Sequence, residues 1–210
     1  MSIVDDNILK IKRLQLGSFG TNSYIIKCQK TQKGVLIDAP AEADKIFKQL
    51  EGIDLNYIFL THDHMDHVGA LSELRQKLGV PLAAHPLDAE SLPLPMETSL
   101  SDGDILSIGE LKIKALHTPG HTPGSLCFLL RDYLFSGDTL FPGGPGKTWS
   151  PSDFKTIINS ITTKIFVLPE DTKIYPGHGN STIISEEKKN FSIFSFKAHD
   201  PNLYGDVLWV

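Results

Sequence analysis

Thr61-His62-Asp63-His64-Met65-Asp66-His67 is the stretch that decides how this chain is read. Three histidines and Asp66 fall within the six residues 62 to 67. Just before them, Tyr57-Ile58-Phe59-Leu60 is a short apolar run with polar flanks, the pattern of a fully buried strand. Just after them, Val68, Leu71, Leu74 and Leu78 line one face of a helix expected to run from Asp66 to Gly79. Glu73, Arg75 and Lys77 lie off that face. The donors therefore sit on a loop between a buried strand and a helix. A loop there can turn several short side chains toward one point. Imidazole nitrogen and carboxylate oxygen are donors that zinc, iron and manganese accept. The bland alternative is a polar helix cap with solvated histidines. An HxHxDH string is expected by chance on the order of once in a thousand such chains. Without a metal, the clustered imidazoles would also oppose one another's protonation.

Working outward, three further donors have the same placement, each at the end of an apolar strand. His121 lies in Thr118-Pro119-Gly120-His121-Thr122-Pro123-Gly124, Asp138 in Phe135-Ser136-Gly137-Asp138, and His178 in Tyr175-Pro176-Gly177-His178-Gly179. A glycine beside each donor lets backbone approach closely. Singly these are ordinary turns. With the first motif they supply seven donors, enough for two metals.

The rest of the chain sets the frame. At 210 residues it is long enough for one domain with a sizeable core, with a short C-terminal extension over about residues 191–210. Hydrophobic residues make up 40 % and charged residues 21 %, which places it among soluble globular proteins. A net charge of −5 gives no basic footprint for nucleic acid or an anionic membrane surface. Cys28 and Cys127 are far apart, so a disulfide framework is excluded and both are expected as small buried hydrophobes. The N-terminal residues lack a basic segment followed by an apolar core, and no apolar run reaches membrane-spanning length. The expectation is a cytoplasmic enzyme with a small-molecule substrate, no nucleic-acid partner and no membrane.

Residues 8 to 38 read as β, with Tyr24-Ile25-Ile26 and Val35-Leu36-Ile37 flanking a polar turn at Gln29 to Lys33. Ala43, Ile46, Phe47 and Leu50 mark a helix over 41–51. Leu111, Ile113 and Ala115 alternate with Lys112 and Lys114, a half-buried strand. Leu126 to Leu130 and Tyr133 to Phe135 form a hairpin. Residues 139–150 read as a Gly/Pro-rich loop. Ser150 and Pro151 then open a helix whose face is Phe154, Ile157, Ile158, Ile161 and Ile165. Paired strands at both ends with helices between them favour an α/β layered sandwich over a doubly wound parallel sheet.

His62-x-His64-x-Asp66-His67, then His121, Asp138 and His178, resembles the metallo-β-lactamase-fold hydrolase superfamily over roughly residues 8 to 185. The wording around His121 and His178 is most similar to its glyoxalase II-like (hydroxyacylglutathione hydrolase-like) branch. The resemblance implies a four-layer αβ/βα sandwich with two divalent metal ions at one edge, zinc foremost and iron or manganese as alternatives. It implies one metal on His62, His64 and His121, a second on Asp66, His67 and His178, and Asp138 bridging both. A metal-bridging hydroxide would then cleave a small thioester or ester, with Asp66 both a ligand and the group that orients the nucleophile. The branch's basic residue in the Gly-rich loop has a counterpart in Lys147, which could pair with a substrate carboxylate. Tyr175 and Trp149 are cleft candidates, with simple packing the plainer reading.

Asp138, where some true β-lactamases carry cysteine or serine, argues against antibiotic hydrolysis, and His64 argues against the flavodiiron branch. The residues after the last expected helix are too few for the added helical domain that binds glutathione in glyoxalase II proper, so that site is not expected within these 210 residues. Two alternatives remain. One is a mononuclear-iron persulfide dioxygenase-like enzyme using His62, His121 and Asp138, a two-histidine, one-carboxylate set suited to oxygen chemistry. The other is a non-catalytic metal-binding module. For Leu208-Trp209-Val210, docking against the sandwich is the plain reading, and a homodimer contact or a lid over the pocket is the sharper one.

Overall fold

A computed structural model describes residues 2–210. The first sheet begins as an antiparallel meander: β1 (Ser2–Asp5), β2 (Leu9–Leu16), β3 (Thr21–Cys28) and β4 (Lys33–Ile37). Helix α1 (Ala43–Gln49) crosses over to β5 (Asp54–Phe59), which lies parallel to β4 with Ile37 opposite Phe59. Helices α2 (Met65–Val68) and α3 (Leu71–Leu78) lead to β6 (Leu82–Ala84), and a 3₁₀ turn at Pro86–Ser91 leads to β7 (Thr98–Ser99). Each parallel addition needs a crossover, which is why the helices cluster in this stretch.

The second sheet is made of β8 (Ile105–Ile108), β9 (Leu111–His117), β10 (Leu126–Leu130), β11 (Tyr133–Gly137), β14 (Lys173–Pro176) and β15 (Thr182–Ile183), in the order β15-β14-β11-β10-β9-β8. A small hairpin, β12 (Leu140–Phe141) with β13 (Gly144–Pro145), follows β11. Helix α4 (Pro151–Ser160) carries the chain to β14, and helix α5 (Ile184–Ser195) follows β15. Strand β14 joins β11 in parallel, so the ends of both strands open at one edge.

Three cores define four layers. Alternate residues of β3, β4 and β5 point to opposite faces: Ile26, Ile37 and Phe59 inward, Ile25, Leu36 and Ile58 outward. The inward set meets Ile113, Phe128 and Phe135 of the second sheet, with Phe59 stacked on Phe128 at 4.9 Å. The outward set packs against Ile46, Leu71 and Leu74 of the helices. On the far face of the second sheet, Leu134 and Ile174 meet Ile157, Ile161 and Phe194. Both faces of each sheet are covered by apolar layers, so the strands of its centre read as continuous apolar runs rather than alternating ones. The result is the expected α/β arrangement, an αβ/βα sandwich.

Several elements depart from expectation. The single helix predicted from Asp66 to Leu78 is two, because the Ala39 N–H donates to His67 O at 2.8 Å and the Ala70 N–H donates to Ala39 O at 2.9 Å. Those two backbone groups are spent on the segment after β4 instead of on the helical ladder. The helix opened by Ser150 does carry its apolar face to Ile165, but its last turn, Ile161–Ile165, is a π turn in which the Phe166 N–H donates to Ile161 O at 2.9 Å. Apolar residues spaced four apart at 157, 161 and 165 outrun a 3.6-residue turn, and the wider turn keeps them on one face. The expected 139–150 loop contains the β12–β13 hairpin. Phe191 belongs to α5, so the extension proper starts after Ser195. Its Val207 and Trp209 are buried in the outer core, while Leu208 and Val210 are exposed. Cys28 and Cys127 are free and buried. Among the described residues, no helix is long and apolar enough to cross a membrane.

Candidate metal centre

The donors all lie on segments that leave strands at one edge of the sandwich. His62 and His64 follow β5, and Asp66 and His67 sit in α2. His121 follows β9, Asp138 follows β11, and His178 follows β14. Three trios bring their ligand atoms within 4.8 Å of one another: His62, His64 and His121; His62, His67 and Asp138; Asp66, His67 and His178. Asp138 sits between the other two trios, with Oδ1 3.4 Å from His67 Nε2 and Oδ2 3.7 Å from His121 Nε2 and 3.5 Å from His178 Nε2. Asp66 Oδ2 lies 3.1 Å from His178 Nε2. His64 Nδ1 and His121 Nε2 face each other at 2.9 Å. All seven residues read from the sequence therefore meet in one place.

Four of the five imidazoles are aimed from behind. His121 Nδ1 is 2.9 Å from Lys147 O, and His178 Nδ1 is 3.3 Å from Phe19 O. His67 Nδ1 is 2.8 Å from Asp38 Oδ2. His62 Nδ1 is 3.0 Å from Thr61 Oγ1, whose hydroxyl donates to Asp38 Oδ2 at 2.8 Å. In each case the remaining ring nitrogen turns to the cluster, the arrangement outer partners impose on metal-binding histidines.

Asp38 is the residue that sequence reasoning missed. It is buried at the end of β4, takes a left-handed backbone (φ 60), and also accepts the Thr61 N–H at 2.8 Å. Left-handed backbone in a residue other than glycine costs of order 1 kcal/mol and is retained where surroundings demand it. The available signal was a carboxylate directly ending the buried run Val35-Leu36-Ile37.

Burial and charge set the protonation states of the cluster. Burial holds His62 well below the usual imidazole range, and the neighbouring histidines add to this. Burial also lowers His67, but the Asp38 and Asp138 carboxylates outweigh it and bring the group to about 10. Burial raises Asp138, and the facing His67 overcomes that and holds it low. A closely packed set of carboxylates and imidazoles favours positive charge among its members, which a bound cation would supply. His62 Nε2 and Asp138 Oδ1 are buried with no hydrogen-bond partner among the described residues. Gly177 lies against Asp138 and His67: a Cβ there would strike Asp138 Oδ1 and come within 2.7 Å of His67 Cε1.

The remaining candidates are placed differently. Lys147 is exposed; its Nζ lies 3.6 Å from Asp206 and 4.9 Å over the Trp149 ring. Trp149 is exposed, with its ring 6.4 Å from that of His64. Tyr175 packs in the core against Tyr24 and Phe135, which is the plainer of its two readings. Phe19 and Met65, 75 % and 72 % exposed, flank Asp66 on the opposite side and line a groove of about 220 Å³.

Residues 16–178 match the metallo-beta-lactamase superfamily. The chain is 34 % identical over 213 residues to the hydroxyacylglutathione hydrolase GloC of Haemophilus influenzae, covering 90 % of this chain and 100 % of that one. It is similar in structure to ETHE1 from Myxococcus xanthus, with a TM-score of 0.75 and 31 % identity over 85 % of this chain and 81 % of that one. It is also similar to TTHA1623 solved in a di-iron-bound form, with a TM-score of 0.74 and 31 % identity over 85 % and 97 % of the two chains. A fold of two helix-covered sheets, a cluster of histidines and aspartates at their common edge, and a match over most of the length lead to one conclusion: the chain belongs to the metallo-β-lactamase superfamily.

Proposed function

We propose that this chain is a dinuclear metal-dependent hydrolase acting on a small thioester or ester. The observation that carries this is the pair of buried, unpartnered atoms, His62 Nε2 and Asp138 Oδ1, inside a cluster of seven donors. Leaving such atoms unpaired costs about 1–3 kcal/mol each, and a divalent cation satisfies both kinds. His62, His64 and His121 would hold one ion, Asp66, His67 and His178 the other, with Asp138 shared between them. The imidazole-rich set suits zinc, and iron is the alternative. Bound there, two divalent cations supply a water activated near neutral pH and polarise a carbonyl.

The chain's own residues supply the rest. Asp66, partly exposed at the mouth, orients the attacking water. Asp38 and the Lys147 carbonyl keep the ring nitrogens of His67 and His121 aimed into the cluster. Phe19, Met65 and Trp149 give the mouth an apolar rim for the organic part of a substrate. Lys147 would meet an anionic group by exchanging it for Asp206. A hydroxyacylglutathione is the first thioester to try, since the Haemophilus relative bearing that activity's name is matched along its whole length.

Elemental analysis of the purified protein, followed by a thioester, ester and lactone panel, tests the proposal. About two ions per chain, with thioester turnover lost on chelation and regained on zinc addition, is the expected result. A second reading, for which the likeness to ETHE1 speaks, is a mononuclear-iron, persulfide dioxygenase-like enzyme using His62, His121 and Asp138; the likeness to a di-iron-bound structure speaks for two ions instead. One iron per chain and oxygen uptake with a persulfide would put that reading in place of hydrolysis. Metal binding with no turnover of either kind would leave a non-catalytic module.

A further inference from the structure

The segment between β11 and α4 packs directly onto the cluster. Its Gly146 N–H donates to Thr139 O at 3.2 Å, and a Cβ on Gly146 would strike the Asp138 carbonyl oxygen and lie 3.4 Å from His121 Nδ1. One residue on, the Lys147 carbonyl accepts from His121 Nδ1. A shift of this segment therefore moves the group that sets the orientation of His121.

Much of what holds the segment comes from the far end of the chain. The Thr148 N–H donates to Gly205 O at 3.2 Å, and the Gly205 N–H donates back to Thr148 Oγ1 at 3.2 Å. The Trp209 N–H donates to Gly143 O at 2.8 Å, and the Gly143 N–H donates to Glu187 Oε2 at 2.8 Å. The Lys147–Asp206 ion pair spans the same gap. These bonds are anchored chiefly by Trp209, with Val207 buried beside it in the same core: Trp209 is 1 % exposed, with its ring 5.1 Å from Phe191 and 6.0 Å from Phe166. The indole Nε1 is buried without a partner among the described residues, so the site uses the ring's bulk and not its N–H. The anchor is thus in the outer core of the second sheet, while the bonds it supports end beside a metal ligand.

We infer that the C-terminal segment Gly205–Trp209 is a strap that fixes the Lys147 carbonyl and, through it, His121, which makes Trp209 a positioning residue of the metal centre. The inference rests on the metal-centre reading above. Loss of the strap would weaken the His62–His64–His121 trio in particular, and leave the Asp66–His67–His178 trio with its own supports, Asp38 and Phe19 O.

The test is a titration of the metal-free full chain with cobalt, read by its visible spectrum and by competition with a chelator. Outer-shell partners typically contribute about 10–100-fold to metal affinity. Trp209→Ala is expected to bind one of two ions at least tenfold more weakly and with an altered spectrum, while Trp209→Phe, which refills the pocket, stays near wild type. Thr148→Ala, which removes the hydroxyl that Gly205 bonds, should move the same ion in the same direction, and Thr148→Ser should restore it; this pair decides the matter if Trp209→Ala does not fold. Ile165→Ala, a truncation in the same outer core with no bond to the segment, separates positioning from plain destabilisation. Wild-type affinity and spectrum in both Trp209→Ala and Thr148→Ala would overturn the strap, as would an equal loss in Ile165→Ala. A wild-type chain that takes up no cobalt would instead remove the metal centre itself.

Discussion

Asp38 holds two imidazoles at once, His67 directly and His62 through the Thr61 hydroxyl. Asp38→Ala is therefore expected to weaken metal binding roughly 10–100-fold while the fold is kept, as measured by chelator competition. Gly177→Ala should act at the same point by displacing the Asp138 carboxylate, with loss of bound metal seen by elemental analysis. His85 offers a pH-dependent test away from the cluster. Burial, and then the stacked His117 at 3.8 Å, lower its pKa to about 4, and its Nδ1 must stay unprotonated to accept the Leu87 N–H. An unfolded histidine takes its proton near 6.5. Between those values the unfolded chain binds more protons, so His85's contribution is complete above about 6.5 and is lost as pH falls toward 4. His85→Asn, which keeps an acceptor for the turn, should flatten that part of the stability–pH curve in urea unfolding. Of these residues the clustered donors and Gly177 were legible in sequence. Asp38 was not, because its role depends on lying next to a loop more than twenty residues away, and chain order does not reveal that contact.

At the level of elements, the local signals that survived are those satisfied within a few residues. Ser150 accepts the Asp153 N–H and Pro151 sits in the first turn, so α4 starts where its cap requires. Ser150→Ala should cost about 1 kcal/mol and lower the melting temperature by roughly 2–4 °C in a chain of this size, checked by thermal unfolding. The apolar periodicity of Val68, Leu71 and Leu74 correctly marked a buried face. It did not reveal the break after Val68, since that break is made by Ala39, which takes up His67 O and supplies an acceptor for Ala70. The β12–β13 hairpin was hidden for a similar reason: its strands are two residues long, and β13 consists of a glycine and a proline, which composition reads as loop.

Over the whole molecule, the cluster spans two sheets. His62, His64, Asp66 and His67 come from the first half of the fold, and His121, Asp138 and His178 from the second. A bound ion pair would tie the sheets together at that edge and stabilise only the folded state, by about 4 kcal/mol at a thousandfold excess over the dissociation constant. Chelation should thus lower the melting temperature of the wild-type chain by several degrees, with a smaller shift in His62→Ala and Asp138→Ala, as read by differential scanning fluorimetry. On the proposed hydrolase reading, Asp138→Ala should also abolish thioester turnover.

The sequence by itself determined the layered α/β class, because apolar runs four to eight residues long and helical periodicities are local quantities. It also determined the donor set, because ligand chemistry restricts each position to a few residue types and seven of them stand in one chain. Tertiary structure decided what aims those donors. Asp38 and the Phe19 and Lys147 carbonyls carry no signature in sequence, and the Trp209 tail reads there only as an apolar end; they act because the fold brings segments from 23 to 159 residues apart within a hydrogen bond's length.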